Sequence, residues 1–122
     1  MNTTLLWLAV VIIIITAVAH SYFGEVRLIK PLLELKQGVM ARKLSRDVMR
    51  LAWHGTSLLF FVVAYTLAFQ ALHPDLAQRQ VILVLGAALT MFGLVDAVVS
   101  KGRHIGWPLI TLAGLSAIAS SY

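Results

Sequence analysis

The sequence contains no cysteine. This absence excludes disulfides, thiolate zinc sites, iron–sulfur clusters and covalently attached c-type haem. Charged residues are also scarce, at 12% of the 122 residues, whereas hydrophobic residues make up 60%. A soluble domain of this size is usually about half apolar and about a quarter charged. Together with a mean hydropathy of +0.89, the composition indicates an integral membrane protein.

Long apolar runs account for most of the chain. There are four such runs, separated by polar segments. Each is close to the ~20 residues that a helix needs to cross the hydrocarbon core. No Lys or Arg precedes the first run, so its charge pattern is not that of a signal peptide. The sequence predicts an all-α, up-and-down bundle of four transmembrane helices in a single domain, residues 1–122. The predicted helices cover about residues 5–23, 45–72, 76–100 and 105–121.

The positive charges lie almost entirely on one side of this predicted bundle. Only Arg79 lies on the other side, and the remaining nine are Arg27, Lys30, Lys36, Arg42, Lys43, Arg46, Arg50, Lys101 and Arg103. The positive-inside rule then places both termini outside and the basic loops in the cytoplasm of a bacterial-type inner (plasma) membrane. Anionic lipid headgroups explain the net charge of +5, so nucleic acid is not a predicted partner.

The basic loop, residues 24–50, is amphipathic, because apolar side chains recur in it at roughly helical spacing among the charges. This pattern predicts a helix lying on the cytoplasmic membrane surface, interrupted at Pro31 and Gly38. Gly24 is expected to let the chain leave the first helix, so that Glu25 turns back toward the bundle.

Polar residues gather at one depth in the predicted bundle. At ~1.5 Å per residue, His20, His54 and Asp96 each lie about 22–27 Å from the outer edge of their helix. His104 heads the fourth helix in the same layer, and Glu25 lies just below it. A carboxylate at the depth of Asp96 needs a partner, since burying it unpaired in lipid is costly. The available partners at that depth are His20, His54, His104, Arg50 and Arg103.

Histidines and carboxylates without thiolates suit a metal or haem site. As metal ligands we consider His20, His54, His104, Asp96 and Glu25, around zinc, iron, manganese or copper(II). Alternatively, His20 and His54 are axial ligands of a b-type haem, or the cluster relays protons. Neighbouring hydroxyls, at Ser21, Thr56, Ser57 and Ser100, could orient these ligands. Simpler interpretations are an ion pair of Asp96 with Arg50 or Arg103 and histidines that only anchor the helices at the interface.

Three function classes follow from these patterns. The leading hypothesis is a small polytopic membrane protein with a redox or hydrolytic His/carboxylate site at its cytoplasmic end. The second is a non-catalytic accessory subunit or assembly factor of a larger membrane complex, docking through small residues such as Gly86 and Gly93. The third is a small transporter that acts as a homo-oligomer. No G-x-S-x-G nucleophile motif is present, so a serine hydrolase of that kind is not predicted.

Overall fold

The structure is a computed structural model that describes residues 1–122, and every regular element in it is helical. The α-helices are α1 (Thr3–Gly24), α2 (Lys30–Glu34), α3 (Lys43–Leu72), α4 (Arg79–Val99) and α5 (Gly106–Ser120). The all-α prediction is therefore confirmed. Three helices are long and apolar enough to cross a membrane, namely α1 with its continuation into α2, α3, and α4. The fourth apolar helix, α5, has 15 residues and is shorter than these.

The first helix is longer than the sequence predicts, because it does not end at Gly24. A single π-helical turn, Glu25–Ile29, joins α1 to α2, so that helical structure runs over 32 residues to Glu34. Pro31 explains the wide turn: it has no N–H to donate, and its ring would clash with a carbonyl four residues earlier in an α-helix. The predicted interruption at Pro31 is therefore wrong.

The chain breaks after α2, close to the second predicted interruption. Lys36 has φ +49 and Gly38 has φ +54, and Gly38 opens a short 3₁₀ turn, Gly38–Ala41. Arg46 holds this turn against α3, since its Nη1 donates to the carbonyl of Met40 at 2.7 Å and to that of Ala41 at 2.8 Å. The interruption predicted at Gly38 is confirmed.

The start of α3 is solvent-exposed and charged. Lys43 Nζ donates to Asp47 Oδ2 at 2.7 Å, one helical turn away. This hydrogen bond, with the nearby charges of Lys43, Arg46 and Arg50, holds the pKa of the Asp47 carboxyl below its ordinary value. Large apolar side chains lie exposed beside these charges, among them Val39, Leu44 and Leu51. The segment is thus amphipathic, as predicted.

The helices pack in the order α3–α1–α5–α4, which differs from their order in the chain. The first helix lies between α3 and α5, and α4 packs along α5, while α3 and α4 make little contact although they are consecutive. The backbone N–H of Asn2 donates to the carbonyl of Ser120 at 2.7 Å, which ties the start of α1 to the end of α5. An up-and-down bundle places consecutive helices side by side, which holds for α4 and α5 but not for α3 and α4.

The tightest helix contact is between α4 and α5, and small residues make it possible. A Cβ on Gly86 would lie 2.8 Å from Ile118 Cγ1 and 2.9 Å from the carbonyl oxygen of Gly114. A Cβ on Gly93 would likewise overlap Thr111. The small-residue faces of these two helices therefore pack against each other within the chain, and they are not free to dock a partner.

The buried core lies among α1, α3, α4 and α5. It is built from aliphatic side chains of all four helices: Leu6, Ala9, Val10, Ile12, Ile13, Ala64, Leu67, Ala71, Ile82, Leu89, Ile110, Ala113 and Ala117. The end of the bundle that carries the π turn, the start of α3 and the α4–α5 turn is called the basic end below. The polar side chains singled out from the sequence lie at this basic end.

Candidate functional site

Gly24 and Trp53 form the contact that brings α1 and α3 together at the basic end. A Cβ on Gly24 would overlap the indole ring of Trp53. Gly24 itself is helical, with φ −64 and ψ −43, so the prediction that it lets the chain leave the helix is wrong. Trp53 Nε1 also donates to the carbonyl of His20 at 3.2 Å. Glycine is needed here for close approach to an aromatic ring rather than for its backbone freedom.

Beside this contact, four side chains form one hydrogen-bonded series, which we call the His54 chain. Ser21 Oγ lies 2.7 Å from His54 Nδ1, and His54 Nε2 lies 3.1 Å from Glu25 Oε2. Arg50 Nη2 donates to the other carboxylate oxygen, Glu25 Oε1, at 2.9 Å. The series thus runs Ser21–His54–Glu25–Arg50 and joins α1 to α3.

The chemistry of the groups fixes the direction of these hydrogen bonds. Glu25, paired with Arg50, is an ionised carboxylate and can only accept, so His54 Nε2 carries a hydrogen. In the neutral imidazole, Nδ1 is then the acceptor, and the hydroxyl of Ser21 donates to it. His54 keeps 36% of its side chain exposed and Glu25 keeps 27%, so the series is not sealed inside the protein.

Helical spacing places both halves of the His54 chain. Ser21 and Glu25 are four residues apart and share one face of the first helix, and Arg50 and His54 are four residues apart on α3. The two helices run antiparallel, and each presents two polar groups to the other. The π turn begins at Glu25, whose side chain bonds to His54 and Arg50 of α3.

His20 lies next to the His54 chain but is not a member of it. Its ring stacks on Trp53, with 4.3 Å between ring centroids and 10° between planes. His20 Nε2 lies 2.9 Å from Thr56 Oγ1, whose hydroxyl hydrogen is donated to the Trp53 carbonyl at 2.6 Å. His20 Nε2 is therefore the donor to Thr56, and in the neutral ring Nδ1 is an acceptor without a partner in the protein.

Asp96 and His104 form a second pair at the basic end. His104 Nδ1 lies 2.5 Å from Asp96 Oδ2, and this bond ties the end of α4 to the turn before α5. Of the residues predicted as partners for the Asp96 carboxylate, His104 is the one that bonds to it. Arg50 pairs with Glu25 instead, so the simpler interpretation of an Asp96–Arg50 or Asp96–Arg103 ion pair is wrong.

The structure therefore divides the predicted ligands into two groups. His54 and Glu25 belong to the His54 chain and Asp96 and His104 form the second pair, whereas His20 contacts Trp53 and Thr56 and joins neither group. No three His, Asp or Glu side chains converge in a metal-binding arrangement. Binding of a metal or of a b-type haem stays a prediction.

Two buried hydroxyls at the basic end have no hydrogen-bond partner, those of Ser57 and Ser100. Ser57 is the more deeply buried, with 4% of its surface exposed. It lies one helical turn after His54 on α3, on the side that faces the core. An unpaired buried hydroxyl is costly, so this one is a donor available to a ligand or a water molecule.

The place of Trp53 in the site and the pairing of Arg50 with Glu25 were not predicted from the sequence. The i, i+4 spacing of Ser21/Glu25 and of Arg50/His54 places each pair on one helix face, but it does not show that the two faces meet. Comparison of the chain with protein-family models, curated proteins and solved structures finds no match. The function is therefore argued from the side chains of this chain alone.

Proposed function

We propose that this chain is a multi-pass protein of a bacterial-type inner membrane, with four spanning helices, both termini outside and the basic end in the cytoplasm. The charge asymmetry supports this topology, since nine of the ten Lys and Arg lie at the basic end. The antiparallel order supports it as well, because α5 packs along the apolar α1 and α4. Anionic lipid headgroups then face the exposed cations beside α3.

Single cysteines test the topology cleanly, because the chain has none of its own. In intact cells we expect a membrane-impermeant maleimide to label Asp75→Cys and Tyr122→Cys, and to label Lys36→Cys and Lys101→Cys only after permeabilisation. The Tyr122→Cys result decides whether α5 crosses. Protection of this variant, in the pattern of Lys101→Cys, would show three spans instead of four.

The function that the geometry supports best is acid–base chemistry at the cytoplasmic end, centred on the His54 chain. The observation that carries it is the continuous hydrogen bonding from Ser21 through His54 to Glu25. A histidine held in one tautomer by a carboxylate is arranged to take a proton from its other neighbour. Both ring nitrogens of His54 are engaged in this way, which favours proton transfer over coordination of a cofactor.

Histidine tautomers provide the test. In protein reconstituted in nanodiscs, with ¹⁵N-labelled histidine, we expect His54 in its neutral form to carry the hydrogen on Nε2 and to accept at Nδ1. Glu25→Ala should remove this preference and give a mixture of tautomers, whereas Asp75→Ala, at the other end of the bundle, should leave it unchanged. A wild-type His54 that is mixed, or that has its hydrogen on Nδ1, would contradict the proposal.

A divalent transition metal is the second candidate, favoured by two unused ring nitrogens. His20 Nδ1 and His104 Nε2 have no hydrogen-bond partner within the protein, and both histidines lie at the basic end. Zinc, iron or manganese would suit imidazole with a carboxylate such as Asp96. Elemental analysis of the purified protein separates this candidate from the first, and a visible absorption spectrum of the same sample would reveal b-type haem.

A further inference from the structure

The His54 chain has the order of an activated nucleophile. Such a site places a hydroxyl within hydrogen-bond reach of a base, which is in turn oriented by a third group. Ser21 Oγ to His54 Nδ1 is 2.7 Å, and His54 Nε2 to Glu25 Oε2 is 3.1 Å. Both distances fall in the range of about 2.6–3.2 Å that proton transfer requires. Arg50 adds a fourth member, whose ion pair with Glu25 holds the carboxylate in place.

We propose that Ser21 is a nucleophile and His54 its general base, in the hydrolysis of a carboxylic ester of a membrane amphiphile. This inference rests on the acid–base function proposed above and names its reaction. It does not require the G-x-S-x-G elbow, because a nucleophile, base and orienting carboxylate are recognised by geometry and can be presented by different folds.

Ester attack also needs a donor for the negative oxygen that develops on the substrate. The backbone N–H of Ser21 is not free, since Ser21 lies inside α1, where N–H groups bond to the preceding turn. The donor must therefore be a side chain. The hydroxyl of Ser57, one turn from His54, has no partner in the protein, and it would have to turn out of the core to serve as this donor.

The surroundings of Ser21 select an amphiphile as the substrate. Ser21 lies near the end of the apolar part of α1, and Val18 and Tyr22 flank it on the helix surface. The neighbouring surface of α1 is apolar and is formed by Ile14, Ile15, Val18, Ala19, Tyr22 and Phe23, all on this one helix. An acyl chain can lie along this surface while its ester group reaches the partly exposed His54 chain.

The reaction balances without a further reagent. As Ser21 Oγ bonds to the acyl carbon, its proton passes to His54 Nδ1, and this proton then goes to the leaving alkoxide as the ester C–O bond breaks. A water molecule next gives a proton to His54 while its oxygen attacks the acyl carbon. The carboxylic acid leaves, and the proton returns from His54 to Ser21. Glu25 stays ionised and stabilises the imidazolium formed in both steps.

A fluorophosphonate probe tests the proposal, because it reacts covalently with activated serine hydroxyls. We expect the full-length protein in nanodiscs to be labelled, and peptide mass mapping to place the label on Ser21. Labelling should be absent in Ser21→Ala and slower by about 100-fold or more in His54→Gln, as expected on loss of a general base. Ser116→Ala, a buried serine on α5, is the matched control and should react at the wild-type rate.

Hydrolysis of p-nitrophenyl esters gives a second readout. We expect a long-chain ester to be cleaved faster than p-nitrophenyl acetate, with the activity lost in Ser21→Ala. Three results would overturn the proposal: an unlabelled Ser21 in folded wild-type protein, labelling that does not depend on His54, or equal hydrolysis by Ser21→Ala. If Ser21 stays unlabelled while His54 keeps its Nε2–H tautomer, the nucleophile proposal fails and the acid–base site remains.

Discussion

Gly114→Ala should unfold at a clearly lower temperature than the wild-type protein. An added Cβ at Gly114 would lie 2.5 Å from the backbone nitrogen of Thr90 and 2.6 Å from the carbonyl oxygen of Gly86. Both atoms belong to the backbone of α4, so no side chain can turn away, and α4 must move as a unit. Overpacking of this kind costs about 1–3 kcal/mol. Thermal unfolding in detergent, followed by circular dichroism, measures the loss.

Gly55→Ala is the matched control for this experiment. Gly55 also lies inside a helix, but a Cβ there would meet nothing within 4 Å. Alanine is favoured over glycine in a helix by about 1 kcal/mol, so the control should unfold at the wild-type temperature or above it. If the two variants shift in the same direction by similar amounts, α4 and α5 are not in the close contact that the structure shows.

The helices could be predicted from the sequence because runs of about 20 apolar residues favour helices that can cross a membrane. Polar backbone groups in lipid must bond within their own segment, so a long apolar run implies a helix. Hydropathy does not indicate which of these helices pack against each other. In a membrane protein, side chains that face lipid are as apolar as those that face another helix, and between Leu5 and Ala19 the only polar residue of α1 is Thr16. The order α3–α1–α5–α4 therefore left no hydropathy signal.

The polar layer could be predicted from depth, but its pairing could not. A constant rise per residue correctly placed the histidines and carboxylates at one end. Which carboxylate meets Arg50 and His54 depends on whether α3 packs against α1 or against α4. Because α3 packs on α1, these two residues meet Glu25, and Asp96 is left to His104. The pairing is thus a consequence of the helix order.

Gly24→Ala should damage the candidate site more than any other single methyl group added to the chain. The new Cβ would overlap the indole of Trp53, which has to move away. Its movement breaks the hydrogen bond to the His20 carbonyl and the stacking on the His20 ring. It also separates α1 from α3 beside Ser21 and His54. We expect lower thermal stability, loss of the Nε2–H preference at His54 and little or no fluorophosphonate labelling at Ser21.

A double-mutant cycle with Trp53→Ala shows whether this mechanism is correct. If Gly24 is needed only to make room for the indole, Gly24→Ala should cost little once Trp53 is alanine, with a coupling of about 1–3 kcal/mol between the two sites. If Gly24 were instead needed for its backbone freedom, the loss would be the same in both backgrounds. The helical φ of −64 at Gly24 is one that alanine adopts readily, so we expect the first result. The contact between a glycine and an indole would then be what holds Ser21 within reach of His54.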